Sequence, residues 1–161
     1  MFRIGLISDT HGLLRPEATA YLQGCDHIVH GGDIGDEAIL TELAAIAPLT
    51  VVRGNNDREA WAGSIPETEL IEVGGIFLYA IHDLAGMDIE PEAVGVRIVM
   101  SGHSHKPLVE ERGSVIYVNP GSAGPRRSTL PISAGEVTID GGTVSARTVV
   151  LTRIQGKPQS C

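Results

Sequence analysis

The sequence predicts an α/β fold in which two packed β-sheets carry helices on their outer faces. Three observations carry this expectation. Over the first hundred residues, short apolar runs alternate with segments of helical spacing. Over the last fifty, the pattern changes to strands around a tight hairpin. Each early apolar run also ends in a short polar loop, as strands do when they deliver residues to one edge of a sheet.

The expected strands lie at residues 4–7, 28–29, 49–52, 76–81 and 98–100, each a short apolar run bounded by turn residues. Between them, residues 13–23 place Leu14, Ala18, Tyr21 and Leu22 on one helical side, with Gly24 as a stop. Asp36 is placed to cap a helix whose apolar face is Ile39, Leu40, Leu43 and Ile46, with Pro48 just beyond its end. A third, short helix is expected after Asp88, with Pro91 in its first turn. Further along, residues 115–118 read as a strand. Residues 132–139 and 144–151 flank Asp140-Gly141-Gly142, a strong hairpin signal.

Length and composition narrow the class. The 161 residues suit one domain spanning 1–161, with a polar tail over 152–161 expected to fray. Apolar residues make up 42% and charged residues 20%, a globular balance. No apolar run reaches membrane-spanning length, so no membrane partner is expected. The first residues lead directly into a core strand, which reads as a chain without a targeting segment and suggests a cytoplasmic location. The net charge of −8 argues against a basic groove, so no strong nucleic-acid binding is expected. The two cysteines, Cys25 and Cys161, are far apart and lack C-x-x-C spacing, which disfavours a disulfide framework or a thiolate zinc site.

The polar residues at the run ends are of one chemical kind. The five runs lead to Asp9-Thr10-His11-Gly12, His30-Gly31-Gly32-Asp33, Gly54-Asn55-Asn56-Asp57, His82-Asp83 and Gly102-His103-Ser104-His105. Asp9-x-His11 and His103-x-His105 allow a turn after a strand to aim both side chains into one pocket. Glycines 12, 32, 54 and 102 allow close backbone approach. Carboxylate, imidazole and amide donors without sulfur favour Mn, Fe, Ni, Zn or Co in an open site. Seven candidates (Asp9, His11, Asp33, Asn55, His82, His103 and His105) exceed the four or so that one structural ion needs, and imply two ions.

Taken singly, these residues have plainer readings. His27 belongs to no block and reads as structural; His30 reads as strand packing behind the ligands. Asp9 or Asp33 alone would pass for a turn or cap residue, and Gly54-Asn55-Asn56-Asp57 for a turn. Asn119-Pro120-Gly121-Ser122 reads either as a β-turn or as a substrate-lining loop. Arg126 and Arg127 read first as solvated charges, and second as cations for a phosphoryl group.

The blocks together resemble the calcineurin-like metallophosphoesterase superfamily, whose pattern is D-x-H, G-D, G-N-(H/C)-(D/E), H and G-H-x-H. Asp-Thr-His-Gly at 9–12 and Asn119-Pro120-Gly121-Ser122 resemble its small prokaryotic YfcE-like phosphodiesterases in particular. The resemblance runs from Ile4 to about Ser122, with all five blocks in order. It implies a four-layer α/β/β/α sandwich of two mixed sheets. It also implies two divalent ions, with manganese favoured. The first would be held by Asp9, His11, Asp33 and His105, and the second by Asp33, Asn55, His82 and His103, with Asp33 as the bridge. Asp33, Asn55 and His82 would carry catalysis, in which a hydroxide activated by the ions attacks a phosphate ester in line. Asp57, Asp83 and His30 are expected to orient the ligands.

One position departs from the family. Many members carry a histidine after the asparagine of the third block, where it helps to protonate the leaving group; here it is Asn56. A carboxamide is no general acid near neutral pH, so a preference for activated phosphodiesters is expected. Asn56, Arg126 and Arg127 remain candidate substrate contacts. The expected partner is a small phosphate-ester substrate, with self-association into a homo-oligomer left open. The competing reading is a weakly catalytic scaffold or protein-binding module, as in the trafficking subunit Vps29, which uses this fold and has lost part of the metal site. A third reading, a phosphoprotein phosphatase, lacks the insertions that would form a docking groove.

Overall fold

The computed structural model describes residues 1–127 and 129–151. The expected tail and the Cys161 thiol lie outside the described residues. Among the described residues, ten strands and two α-helices follow the chain as β1 (Phe2–Ile7), α1 (Pro16–Leu22), β2 (His27–His30), α2 (Glu37–Ala44), β3 (Leu49–Val51), β4 (Thr68–Val73), β5 (Ile76–Ile81), β6 (Val96–Met100), β7 (Leu108–Arg112), β8 (Val115–Asn119), β9 (Ser133–Asp140) and β10 (Thr143–Val150). They form two five-stranded mixed sheets, ordered β10-β9-β1-β2-β3 and β4-β5-β6-β8-β7. In the first, β1, β2 and β3 are parallel; in the second, β5, β6 and β8 are parallel. The antiparallel strands sit at the flanks.

Strand periodicity sorts the apolar residues into three layers. Ile4 and Leu6 of β1, Leu78 and Ala80 of β5, Ile98 and Met100 of β6, and Val118 of β8 meet between the sheets. Ile7 points the other way and packs on Ala18 and Leu22 of α1 and on Ile39 and Leu43 of α2. Tyr79, Val99 and Tyr117 cover the far face of the second sheet. Ile98 is fully buried at the sheet interface. Ile98→Ala is expected to cost about 2–5 kcal/mol of stability, read as a lower urea midpoint at unchanged slope.

Three expectations are corrected in detail. Helix α1 starts at Pro16, not residue 13, because the residue before a proline avoids the helical region; Arg15 is extended, with ψ of 145°. Asp36 caps α2 as expected, accepting from the Ala38 N–H at 3.0 Å. The helix expected after Asp88 is only a set of turns, in which Glu90 O accepts from Ala93 and Val94 before Gly95 reverses the chain at a φ of 82°. The outer face of the second sheet is consequently covered by a 3₁₀ turn (Leu84–Gly86) and by Met87 and Ile89, not by an α-helix. Strands β4 and β7 were not anticipated. Both lie at sheet edges; β7 is exposed along its whole length and β4 along much of it, so neither carries a long apolar run.

Candidate metal centre

All the parallel strands end on the same side of the molecule, and each hands its next residues to one loop cluster. Beyond β1 and β2 the chains stay zipped together. Asp9 N donates to Gly32 O at 3.0 Å, His11 N to Asp33 O at 2.9 Å, and Gly12 N to Ile34 O at 2.8 Å. Past β5 and β6, Gly102 N donates to His82 O at 2.9 Å. The two sheets are tied across the gap by His103 N, which donates to Asp9 Oδ2 at 3.1 Å. The carboxyl edges thus form one rigid rim.

The backbone at this rim is strained. Among the described residues, the non-glycine residues with positive φ are Asp9 (56°), His11 (46°), Asp33 (57°), His103 (73°) and His105 (64°). All five are ligand candidates. Each such conformation costs roughly 1–3 kcal/mol and persists only where the surroundings over-determine it. Asp and His tolerate it better than branched residues. Two glycines are required by contact. A Cβ on Gly102 would lie 2.6 Å from Asp9 Oδ2, and one on Gly54 would strike the Asp33 carboxylate. These glycines allow the backbone to come close to the carboxylates.

Asp9, Asp33, His82 and His105 are buried, His11 is half-buried, and Asn55 and His103 stand exposed at the mouth. Asp9 Oδ1 lies 3.3 Å from His105 Nε2, 3.7 Å from His11 Nε2 and 3.9 Å from His82 Nε2. Asp33 Oδ2 lies 3.3 Å from His82 Nε2 and 3.7 Å from His11 Nε2. Asp9, His11 and His105 converge as one group, and Asp9, Asp33 and His82 as another. The carboxylate common to both groups is Asp9, while Asp33 reaches one histidine of each. Asn55 Oδ1 and His103 Nδ1 are 3.2 Å apart at the rim.

Buried atoms without partners test whether ions fit. Asp9 Oδ1, His82 Nε2 and His105 Nδ1 have no hydrogen-bond partner. Leaving a buried polar atom unsatisfied costs about 1–3 kcal/mol, more for a charge. His82 Nδ1–H donates to Gly31 O at 2.7 Å, so in the neutral ring the Nε2 lone pair faces the carboxylates. Two ligands of a tetrahedral ion at about 2.0–2.1 Å are separated by about 3.4 Å. The Asp–His spacings here are of that size, and the donor set fits divalent cations.

Charge is poised in the same sense. Burial works against ionising Asp33, but the His82 imidazole and the Asn56 donors outweigh it and hold the carboxyl well below the usual range. Asp9 follows the same pattern: burial opposes ionisation, and His11, Ser8, His82 and His105 overcome it. Burial lowers the His82 pKa, but Asp33 and Asp9 more than reverse this and raise it. His105 is lowered, chiefly by burial, against the pull of Asp9 and with help from the Arg127 charge.

The supporting residues are more numerous than expected. Asp57 accepts from four backbone N–H groups: Asp33 (2.9 Å), Ile34 (2.9 Å), Gly35 (3.3 Å) and Gly54 (2.8 Å). Asn56 gives Asp33 two hydrogen bonds, from its N–H at 2.9 Å and from Nδ2 at 3.0 Å. Asp83 accepts from Ala85 N at the start of the 3₁₀ turn and lies 3.7 Å from His103 Nε2. Arg126 and Arg127 are exposed. Not foreseen were Ser8, whose hydroxyl donates to Asp9 Oδ2 at 2.6 Å, and Ser122, whose hydroxyl donates to Asp9 O at 3.0 Å. Asn119 Nδ2 donates to Gly102 O at 2.9 Å. Residues 119–122 are buried and the loop buttresses the rim, while Asn119 also borders the cavity beside His103.

His30 is fully buried beside the site. Gly32 N–H donates to its Nδ1 at 3.0 Å, so the ring proton sits on Nε2 and donates to Thr10 Oγ1 at 3.0 Å; Thr10 in turn donates to Ile34 O. His27 bonds Thr50 Oγ1 at 2.8 Å, away from the rim. Burial pushes the His30 pKa down to about 4, against the pull of Asp9. Between that value and the ordinary histidine pKa near 6.5, the unfolded chain takes up a proton that the folded chain refuses. Stability is therefore expected to fall by up to ~3 kcal/mol as pH drops from about 6.5 to 4. Urea midpoints of the metal-free protein across this range should show a shallower slope for His30→Gln than for the wild type.

A family model for the calcineurin-like phosphoesterase superfamily domain matches residues 2–142. The chain belongs to that superfamily. A "probable metallophosphoesterase" from Methanothermobacter thermautotrophicus is 33% identical over 158 residues, covering 91% of each chain. Among solved structures, a novel archaeal phosphodiesterase superposes with a TM-score of 0.78 at 22% identity, covering 93% of this chain and all of its own. Vps29 from Chaetomium thermophilum superposes with a TM-score of 0.73 at 24% identity, covering 92% and 97%. At these identities, both structures establish the fold. The two mixed sheets are those of the metallophosphoesterase fold, and the acid–histidine groups at the rim could hold divalent metal ions. No described helix is long and apolar enough to cross a membrane.

Proposed function

We propose that the protein is a metal-dependent phosphodiesterase working through two divalent ions. The observation that carries this reading is the convergence of Asp9, Asp33, His11, His82 and His105, with Asp9 Oδ1 and His82 Nε2 buried there without a hydrogen-bond partner. The first ion would be held by Asp9, His11, Asp33 and His105, the second by Asp33, Asn55, His82 and His103. Manganese is the favoured metal. Such ions supply Lewis acidity, generating a nucleophile from water near neutral pH and offsetting charge on the phosphoryl oxygens.

The chain's own residues do the positioning. Asn56 locks Asp33 through both oxygens and keeps it ionised. Gly31 O turns the His82 Nε2 lone pair inward. Ser8 and the His103 N–H fix Asp9 through its Oδ2, which leaves Oδ1 free to coordinate. Arg127, whose charge helps to lower the His105 pKa, would supply a cation for an anionic substrate. Because the Asn56 amide is committed to Asp33, no strong acid stands at that position for the leaving group. Esters that leave without protonation are therefore preferred.

A manganese-reconstituted screen tests this reading. Bis-p-nitrophenyl phosphate should be cleaved, and a dialkyl phosphate should be cleaved at least about 10²-fold more slowly, the usual worth of a general acid. Equal rates on the two would refute the leaving-group argument. The second reading, a Vps29-like scaffold, draws on the shared fold. It predicts tight metal binding with no turnover on any phosphate ester.

A further inference from the structure

Two cavities flank the ridge formed by Asp83 and the rim histidines, and their chemistry differs. One, of about 510 Å³, borders Asn55 and His82 and is lined by three carboxylates, Glu67, Asp83 and Asp88. Its one arginine, Arg53, is tied to Glu67 at 3.0 Å. That surface repels an anionic ester. The other, of about 420 Å³, borders Gly102, His103 and Ser104. Leu84, Pro107 and Leu108 give it apolar walls; Lys106 and the Glu110-paired Arg112 line it as cations, and Asp83 is the one carboxylate among its lining residues. The Arg112 guanidinium carbon lies over the Tyr117 ring, 4.2 Å from its centroid, and the group is held by Glu110 at 3.0 Å. Leu108 stands 49% exposed at its edge.

We propose that this second cavity is the subsite for the non-leaving ester group, and that it selects a flat aromatic group over an alkyl one. The inference rests on the phosphodiesterase reading, since the cavity shares His103 with the rim and anything bonded to a phosphoryl group there must extend from it. The stacked Arg112–Tyr117 pair offers a planar, cationic wall, and the leucines and Pro107 remove ring surface from water. An alkyl group as small as methyl leaves most of that wall unfilled.

The test uses diesters with one leaving group and different non-leaving groups: phenyl p-nitrophenyl phosphate and methyl p-nitrophenyl phosphate, with the manganese-loaded protein. The phenyl ester should show a kcat/KM at least about tenfold higher, mostly in KM. Leu108→Asp and Arg112→Gln should each bring the ratio towards one, and a ratio is insensitive to the amount of folded protein. Equal kcat/KM for the two esters in the wild type overturns the subsite while leaving the phosphodiesterase standing. Binding to the zinc-loaded protein reads the cavity without turnover. Phenylphosphonate should bind at least about tenfold more tightly than methylphosphonate and shift the Leu84 and Leu108 methyl resonances. Equal affinities, or shifts confined to the Asp83–Asp88 side, overturn the proposal. No hydrolysis of either diester with any metal would refute the enzyme, a result distinct from these.

Discussion

Asp33→Asn is expected to lower metal-dependent diester hydrolysis by about 10³-fold or more, with the loss in kcat. The substitution is nearly isosteric, so the loop should keep its shape, but three things change. The charge that reaches both His11 and His82 is removed. The two hydrogen bonds from Asn56 lose their anionic acceptor. The strained backbone at a φ of 57° is left holding a weak ligand. Metal content measured beside kinetics separates the causes: the variant should retain at most one ion per chain where the wild type retains two. Near wild-type turnover with two ions bound would show that Asp33 is not the bridge.

Asp57→Ala should be the most damaging substitution for stability near the site. The side chain is buried and collects four backbone N–H groups from the second and third blocks. Removing it leaves donors of the Asp33 loop and of Gly54 unsatisfied, at an expected cost of about 3–5 kcal/mol. Activity should fall by about 10–100-fold at saturating metal, because Asp33 loses its fixed position although it remains an acid. Asp57→Asn, which can still accept with one oxygen, should recover part of both losses. Urea denaturation and metal titration measure the two effects separately. A variant as stable as the wild type would mean that the loop is held by its strands alone.

Much of this arrangement was legible in the amino-acid order. The five apolar runs became the parallel strands β1, β2, β3, β5 and β6, and each ligand block lies at a carboxyl end. A parallel strand buried on both faces writes itself as an uninterrupted apolar run, and its polar successor marks the edge. What escaped was information held in tertiary contacts. Strands β4 and β7 are edges whose half-polar sequences resemble loops. Ser8, Thr10, Ser122 and Asn119 support the rim through hydrogen bonds, one of which, from Ser122 to Asp9, spans 113 residues of sequence, and small polar residues look alike wherever they fall. Asn56 was identified as a departure from the family pattern, but only the fold shows its amide turned onto Asp33. The turns after Asp88 stay short because Gly95 reverses the chain before a helix can extend.

Anomalous diffraction from a crystal soaked in manganese would test the central claim most directly. Two peaks about 3.5–4 Å apart, one among Asp9, His11 and His105 and the other beside His82 and Asn55, with the Asp33 carboxylate between them, is the predicted result. A single peak, or manganese bound only away from this rim, would contradict it.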